Sequence, residues 1–344
     1  MRTLAHHHRG FRFLAAALLF GWAQVQAASP PAPAVQAVIE ALSRAQAAVV
    51  GVQVTAIEGS RSAEALGLER SGSGVVIGAD GLILTIGYLM QEADSIQIVT
   101  QDNKTLPARA VAYDLATGFG LVRPLLPWHG PRPMTLGSLK GLQTGEVLMT
   151  ATGGEEGDVA MTRLVSQRPF SGYWEYHIDS ALFTSPPIAR HSGAPLFNQK
   201  GELLGIGSLL VLDAAGGRQR LPGNMFVPVD LLKPILGELQ RTGSSHLSHR
   251  PWLGLASSEQ GGHVLIVRVS QGGPAEAAGL QPGDVVLAVD GAKVATLEAF
   301  YKKLWVHAEP EAEIRLTVLQ GSALRTIVLK GVDRMSTMQK PAGI

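Results

Sequence analysis

Short apolar runs separated by turn residues are the feature of this sequence that most limits its fold. In the stretch GSGVVIGADGLILT, from Gly72 to Thr85, two such runs are joined by Asp80-Gly81, a pair that favours a tight β-hairpin. A series of short strands at even spacing predicts a sandwich or a barrel. The 40 glycines of the chain agree with many tight turns. Further runs bounded by Gly, Asn, Asp or Pro are SIQIVTQ, GLVRPLL, GEVLMTATG, MTRLVSQ and WEYHIDS.

A second, smaller unit is predicted in the last quarter of the chain. The stretch VDLLKPILGELQR predicts a helix that ends near Gly243, and the polar TGSSHLSH after it predicts a linker. From Pro251 onward strands flank two short helices, the second running from Leu297 to about His307. A length of 344 residues fits about two domains of ~150 residues each. We predict a first domain over residues 41–240, a linker over 241–250, a second domain over 251–332 and a tail over 333–344.

The N-terminal segment has the composition of an export signal. A basic start is followed by the apolar run FLAAALLFGWA and by Val25-Gln26-Ala27, a small-x-small cleavage pattern. Roughly ten apolar residues are too few to span ~30 Å of hydrocarbon. We therefore predict a removed signal peptide over residues 1–27 and a Pro/Ala linker over 28–40, with an uncleaved anchor as the alternative. The chain has no cysteine, so disulfides and thiolate chemistry are excluded, and the expected location is the periplasm.

Charge and composition exclude two classes of function. The net charge is +1, so the chain lacks the basic field that nucleic-acid binding requires. The run His6-His7-His8 lies in the segment predicted to be removed, and no other histidines and carboxylates have ligand spacing. We predict no metal and no cofactor.

Two further stretches carry a resemblance to a known family. HSGAPLFNQKGELLGI places Ser192 in a turn of small residues before a hairpin, and GGPAEAAGLQPGDVVLAVDG has the Pro274 and Pro282-Gly283-Asp284 spacing of bacterial PDZ domains. With the opening hairpin, these stretches resemble the HtrA/Deg family of exported serine proteases over roughly residues 40 to 332. The resemblance implies a mostly β fold, in which a trypsin-like double β-barrel is followed by one small α+β PDZ domain. The family's activity is that of a serine endopeptidase.

The sequence departs from the family pattern at two of three catalytic positions. Ser192 matches the nucleophile, but LTIGYLM places Tyr88 where the base histidine is expected, and DLATGFG places Gly118 at the carboxylate position. A phenol with a pKa near 10 is a proton donor at neutral pH and not a base. Tyr88 either fills the space of the imidazole and donates one hydrogen bond, or lines a new ligand groove. Asp114 matches an earlier aspartate of the same motif, and we interpret it as a turn residue.

The oxyanion site also departs from the pattern. Arg190 and His191 precede Ser192 where a glycine is expected, and arginine adopts positive φ at a higher cost than glycine. His177, on a strand that leads toward this turn, is the alternative base for Ser192. His191 is a poor partner because neighbouring side chains on an extended turn diverge.

The PDZ unit carries a candidate peptide site of its own. Trp252-Leu253-Gly254-Leu255 has the x-Φ-Gly-Φ pattern of a loop that presents backbone N–H groups to a peptide's C-terminal carboxylate. In the helix LEAFYKKLWVH, Tyr301 and Leu304 face either the ligand groove or the core.

The leading hypothesis is an exported, catalytically inactive HtrA-like protein that binds protein C-termini or unfolded envelope proteins through its PDZ domain. One alternative is an active serine endopeptidase of envelope quality control with a non-standard base. A second is a structural tether in an envelope complex. The resemblance also implies a homotrimer, or a mixed oligomer with an active homologue.

Overall fold

The computed structural model describes residues 33–340, except residues 156 and 218–219. Its first unit is a closed six-stranded barrel in the order β1-β2-β3-β6-β5-β4. A helix, α1, precedes the barrel, and a short helix, α2, lies between its first two strands. The bounds are α1 Pro33–Ala47, β1 Val49–Ala56, α2 Arg61–Leu66, β2 Glu69–Val76, β3 Ile83–Ile86, β4 Ala93–Val99, β5 Thr105–Tyr113 and β6 Phe119–Pro124.

The second unit is another closed barrel of six strands, in the order β10-β11-β12-β9-β8-β7. Buried apolar side chains of the two barrels form one continuous core. Several of these strands are buried along their whole length, as in β10 and β12, where every residue is buried. The bounds are β7 Val147–Ala151, β8 Val159–Gly172, β9 Tyr176–Ser185, β10 Pro195–Phe197, β11 Leu203–Val211, β12 Gly223–Pro228 and α3 Leu236–Thr242.

The third unit is a small α+β domain with its own core. Its main sheet has the order β14-β15-β16-β18-β19, with β17 paired to β16, and β13 and β20 form a separate two-stranded sheet. The bounds are β13 Pro251–Trp252, β14 Leu255–Gln260, β15 His263–Val269, α4 Pro274–Ala277, β16 Val285–Val289, β17 Ala292–Lys293, α5 Leu297–Leu304, β18 Glu313–Gln320, β19 Ala323–Lys330 and β20 Val332–Asp333.

Local turn chemistry behaves as the sequence predicts in two places. Gly81 has φ +80° at the tip of the hairpin that pairs Val76 with Ile83. Gly243 has φ +83°, and its amide donates to the carbonyl of Leu239 at the end of α3. Glycine adopts this left-handed conformation without the steric cost of a Cβ.

Three predicted boundaries differ from the structure. The apolar periodicity from Val35 to Val50 predicts a helix, and α1 spans Pro33–Ala47, which overlaps the stretch assigned to a linker over 28–40. The helix predicted from Val229 is a 3₁₀ turn, Val229–Leu231, followed by α3, because Pro234 lacks the N–H that a continuous helix needs. Helix α5 ends at Leu304 rather than near His307. The predicted signal peptide lies outside the described residues.

The predicted tail is anchored as far as the structure describes it. Asp333 pairs with Pro251 in the two-stranded sheet, and a 3₁₀ turn, Arg334–Thr337, follows. The amide of Gln339 donates to the Glu92 carboxylate of the first barrel at 2.9 Å. The chain after the PDZ sheet therefore returns to the first barrel. Among the helices of the described segment, none has both the length and the hydropathy needed to cross a membrane.

The stretch 241–250, predicted as a linker, supplies hydrogen bonds to a buried carboxylate. Asp114, predicted to be a turn residue, has no solvent exposure. It accepts hydrogen bonds from the hydroxyls of Thr117, Ser245 and Ser248, each at 2.5 Å. A buried carboxylate requires such donors. The serines of TGSSHLSH therefore fix the connection between the units to the first barrel.

We predict that Asp114→Ala lowers the free energy of unfolding by about 3 kcal/mol. The change leaves three buried hydroxyls without their acceptor, and hydrogen bonds to charged groups contribute ~1.5–3 kcal/mol each. Urea unfolding followed by tryptophan fluorescence measures the loss. Asp94→Ala, at an exposed position, is the matched control and should change stability by less than ~0.5 kcal/mol. Equal stability of the two variants would contradict the role given to Asp114.

Candidate functional site

The turn that carries Ser192 is clamped between the two barrels. The amide of Ser73 on β2 donates to the carbonyl of Ser192 at 2.9 Å. Gly193 has φ +73°, and a Cβ added there would lie 2.0 Å from the carbonyl oxygen of Ser73. Only glycine fits this contact. A Cβ at Gly72 would likewise lie 2.6 Å from the Ser192 carbonyl oxygen, so this glycine of the opening hairpin allows the close approach of the serine turn.

Tyr88 lies directly against the serine. It belongs to a 3₁₀ turn, Gly87–Met90, that follows β3. Its hydroxyl lies 2.7 Å from Ser192 Oγ and 3.0 Å from the carbonyl oxygen of Ser208. The structure therefore places the residue at the base position in hydrogen-bond contact with the residue at the nucleophile position.

The chemistry of this contact does not activate the serine. A phenol has one hydrogen, and a carbonyl oxygen can only accept. When Tyr88 donates to the Ser208 carbonyl, its oxygen can only accept from Ser192. When Tyr88 donates to Ser192, the serine oxygen accepts a hydrogen bond. Burial raises the pKa of Tyr88, although the bond to Ser192 opposes the rise, so the phenol stays protonated at neutral pH. In neither arrangement does a base draw the serine proton away.

The position expected for the orienting carboxylate holds a backbone turn. Gly118 has φ +85°, and its carbonyl accepts from the amide of Gly87 at 2.7 Å. The ring of Tyr176 occupies the space beside it, since a Cβ at Gly118 would lie 3.4 Å from Tyr176 Oη. The Tyr176 hydroxyl donates to the carbonyl of Thr117 at 2.6 Å. The nearby acid Asp114 is bonded to hydroxyls of the connecting segment.

The backbone before Ser192 lacks the conformation that glycine would provide. The non-glycine residues with positive φ in the described segment do not include Arg190. The amides after the serine donate to backbone carbonyls, Gly193 to Gly207 on β11 at 2.9 Å and Ala194 to His191 at 3.0 Å.

Neither nearby histidine contacts the serine hydroxyl in this structure. The ring nitrogens of His177 lie 2.9 Å from Ser171 Oγ and 3.2 Å from Asp179 Oδ1. His191 Nδ1 lies 3.0 Å from the carbonyl oxygen of Ala189, and burial lowers the pKa of its imidazole. The alternative pairing of His177 with Ser192 is therefore not formed.

A cavity of about 800 Å³ lies between the barrels and the third unit. Tyr88, Gly118 and His191 line it on the barrel side, whereas Ser192 does not. Tyr88 therefore bonds the serine and also lines this cavity. On the opposite side Arg250 stacks on the ring of Trp305, 3.3 Å from its centroid, and burial lowers the pKa of Arg250 to about 10.

The loop at residues 252–255, predicted to bind a peptide carboxylate, binds the side-chain carboxylate of Glu175. Gly254 has φ +83°, which turns the amides of the two flanking residues toward one point. The amide of Leu253 donates to Glu175 Oε2 at 3.0 Å and that of Leu255 donates to Glu175 Oε1 at 2.7 Å. Burial raises the pKa of the Glu175 carboxyl, while these backbone N–H groups act in the opposite direction. Trp252, the first residue of the pattern, lines the cavity.

Helix α5 places its two candidate groove residues in the interior. Tyr301 and Leu304 have no solvent exposure, and both belong to the core of the third unit. Leu304 is therefore a core residue here, because the stripe it shares with Leu297 and Phe300 faces the sheet. Tyr301 has a second contact, in which its hydroxyl donates to the carbonyl of Gly172 at 2.8 Å.

One cluster in the described segment has the residue types of a metal site. His177, Asp179 and Glu298 present ligand atoms within 4.8 Å of one another. Lys302 Nζ already lies 2.7 Å from Asp179 and 2.8 Å from Glu298. Its ammonium group supplies the positive charge that these two carboxylates need.

The fold and the site together define a class of protein. The sequence matches the family model of the trypsin-like peptidase domain over residues 72–206 and that of the PDZ domain over residues 251–330. Similar solved structures include an HtrA-type protease named AlgW, solved with a tripeptide, at 23% identity and a TM-score of 0.53, covering 88% of this chain and 98% of that one. A serine endoprotease from Yersinia pestis has 21% identity and a TM-score of 0.52, with 88% and 98% coverage.

Curated relatives identify the family. A probable periplasmic serine endoprotease, DegP-like, of Pseudomonas putida strain F1 is 30% identical over 251 residues, 68% of this chain and 49% of its own length. Its counterpart in Halomonas elongata is 29% identical over 290 residues, 79% of this chain and 58% of its own length. The chain belongs to the HtrA-type family, which confirms the predicted resemblance and fold class. It spans about half the length of the curated relatives it matches.

Sequence reasoning missed Glu175 and Arg250. Glu175 is an acid in the strand-like run WEYHIDS, and its partners lie 78 and 80 residues later in the chain. The feature that marks Glu175 as unusual is its φ of 57°, which is uncommon for a non-glycine residue and is seen only in the structure.

We predict that Tyr88→Phe lowers the free energy of unfolding by ~1 kcal/mol, the usual contribution of one buried hydrogen bond. The variant keeps the ring and removes the contact to the Ser208 carbonyl. Tyr173→Phe, at a 55% exposed side chain, is the control with the same chemical change. Urea unfolding compares them, and equal stability would show that the Tyr88 hydroxyl does not make these bonds.

Proposed function

We propose that this protein is an exported, non-hydrolysing member of the HtrA-type family that binds the C-terminal carboxylates of other proteins through its PDZ domain. The observation that carries the first part is the contact between Ser192 and a protonated phenol. Gly118 supplies no carboxylate to orient a base. The relatives are named as periplasmic, and this supports an exported location.

The size of the catalytic loss supports an inactive site. In a well-studied serine protease, removing the triad costs about a million-fold in turnover. The loss of one oxyanion donor costs ~10²–10³ on its own. These effects do not add simply, but both act in the same direction at Ser192.

The geometry of the PDZ loop supports carboxylate binding. The amides of Leu253 and Leu255 converge on one carboxylate, which is the arrangement that captures a peptide C-terminus in PDZ domains. One similar structure, AlgW, contains a tripeptide, and this supports a peptide as ligand. The site needs only backbone donors, so changes in the triad leave it intact.

We expect a fluorophosphonate probe to leave Ser192 unlabelled, because labelling requires an activated hydroxyl. Mass spectrometry of the treated full chain detects the adduct, and Ser192→Ala gives the background of non-specific labelling. Trypsin treated in parallel is the positive control. Labelling of the wild type that disappears in Ser192→Ala would establish the active-protease alternative and contradict this part of the proposal.

We expect peptide binding to depend on a free C-terminal carboxylate. The probe is the peptide RPFSGYWA, which copies residues 168–174 and ends in alanine so that its only carboxylate is terminal. Amidation of that carboxylate should weaken binding at least ~10-fold, since charge-assisted hydrogen bonds contribute ~1.5–3 kcal/mol. Isothermal titration calorimetry with the full chain measures both affinities.

A backbone variant provides the matching control on the protein side. Gly254→Ala should weaken binding of the acid peptide, because a Cβ at φ +83° is strained and would lie 3.2 Å from Ser270 Cβ. Equal affinity for the acid and the amide peptides would exclude the loop as a carboxylate receptor.

A further inference from the structure

The turn between β8 and β9, residues 172–176, enters the PDZ groove from the second barrel. Its acid, Glu175, is buried, with 6% of its surface exposed. Both oxygens of its carboxylate accept backbone hydrogen bonds, from Leu253 and Leu255. This is the position that the terminal carboxylate of a bound peptide would take.

The main chain of the same turn also pairs as a ligand would. The amide of Ser257, on β14, donates to the carbonyl of Tyr173 at 2.9 Å. Strand β14 lies at the edge of the PDZ sheet, where a bound peptide adds as a further strand. The spacing agrees, because Tyr173 precedes the acid by two residues and consecutive residues of a strand alternate in direction.

The opposite wall of the groove holds the turn as well. The hydroxyl of Tyr301, on α5, donates to the carbonyl of Gly172 at 2.8 Å and accepts from the amide of Glu175 at 3.3 Å. The turn therefore bonds the carboxylate loop, the edge strand and the helix, which are the three elements that surround a PDZ ligand.

The backbone and the charges indicate that this insertion is specific. Glu175 has φ 57°, a conformation that a non-glycine residue keeps only where its surroundings enforce it. The positive charges of Arg250 and Arg334 act on this carboxylate from the cavity. Burial raises the pKa of this carboxyl, whereas the N–H donors and the positive charge of Arg334 act in the opposite direction and favour the ionised carboxylate.

We propose that the turn at residues 172–176 is an internal ligand of the PDZ groove, and that a C-terminal peptide binds only after it displaces Glu175 from the carboxylate loop. The proposal rests on the proposed function and deepens it, since it states the condition under which the groove opens. When a binding-competent state is a small fraction of the population, the apparent affinity falls by that fraction. The groove of the wild-type chain is therefore a weakened receptor.

The test compares Glu175→Ala and Glu175→Gln with the wild type in the full chain. Calorimetry with RPFSGYWA should show at least ~10-fold tighter binding to Glu175→Ala, because the internal competitor is gone. Glu175→Gln keeps the shape but loses the charge, and its affinity should lie between the two. Glu309→Ala, which removes an exposed acid of the PDZ domain, should bind as the wild type does.

Hydrogen exchange provides a readout that does not need the peptide. In Glu175→Ala, the amide of Ser257 and the amides of residues 172–176 should exchange faster than in the wild type, whereas Glu309→Ala should leave them unchanged. The same amides of the wild type should lose protection when saturating peptide is added. Near-UV circular dichroism shows whether each variant keeps its folded core.

The outcomes separate the two proposals. Tighter peptide binding by Glu175→Ala supports both. Faster exchange without any peptide binding supports the internal ligand and contradicts capture of C-termini. Equal peptide affinity in the wild type and Glu175→Ala overturns the internal ligand, as does peptide binding with the turn still protected. If Glu175→Ala fails to fold, the affinity of Glu175→Gln and the exchange of the wild type decide in the same way.

Discussion

A carboxylate that is buried away from water needs hydrogen-bond donors. The position of the PDZ domain depends on the donors that it supplies to the Glu175 carboxylate. The amides of Leu253 and Leu255 meet it from across the domain boundary. Removing either side would leave buried polar groups without partners, which costs far more than an exposed contact contributes. The exposed pair of Lys302 and Asp179, at the same boundary, is weak by comparison. In a chain without cysteine, buried polar contacts of this kind fix the relation between domains.

The turn that carries Ser192 is held by backbone contacts that do not depend on any reaction of its hydroxyl. The glycines at positions 72 and 193 still allow the turn to approach β2 as closely as 2.9 Å between Ser73 N and the Ser192 carbonyl oxygen. Such contacts stabilise the junction of the two barrels whether or not the serine reacts. The Tyr88 hydroxyl lies within hydrogen-bond distance of both Ser192 Oγ and the Ser208 carbonyl oxygen. The serine hydroxyl is therefore part of the contact between the barrels.

Local sequence patterns predicted the parts of the fold that depend on local chemistry. Positive φ occurs at three glycines that the sequence marks as turn or loop positions. These are Gly81 in the hairpin, Gly243 at the end of α3 and Gly254 in the carboxylate loop. The replacements Tyr88 and Gly118 could be placed by motif alone. The serine partners of Asp114 and the partners of Glu175 could not, because these donors lie more than 75 residues away along the chain. A polar linker and a strand-like run have the same composition whether or not their serines and acids become buried.

Position 118 and the turn that contacts the PDZ domain are connected through one hairpin. A Cβ at Gly118 would lie 3.4 Å from Tyr176 Oη, which is ordinary van der Waals contact. The φ of +85° at this position would nevertheless strain an aspartate. Tyr176 follows Glu175 directly, and its ring stacks on Trp174 at 5.5 Å between centroids. A side chain at position 118 would therefore contact the residue that follows Glu175. Glycine takes the left-handed backbone here at no steric cost and adds no contact to that hairpin.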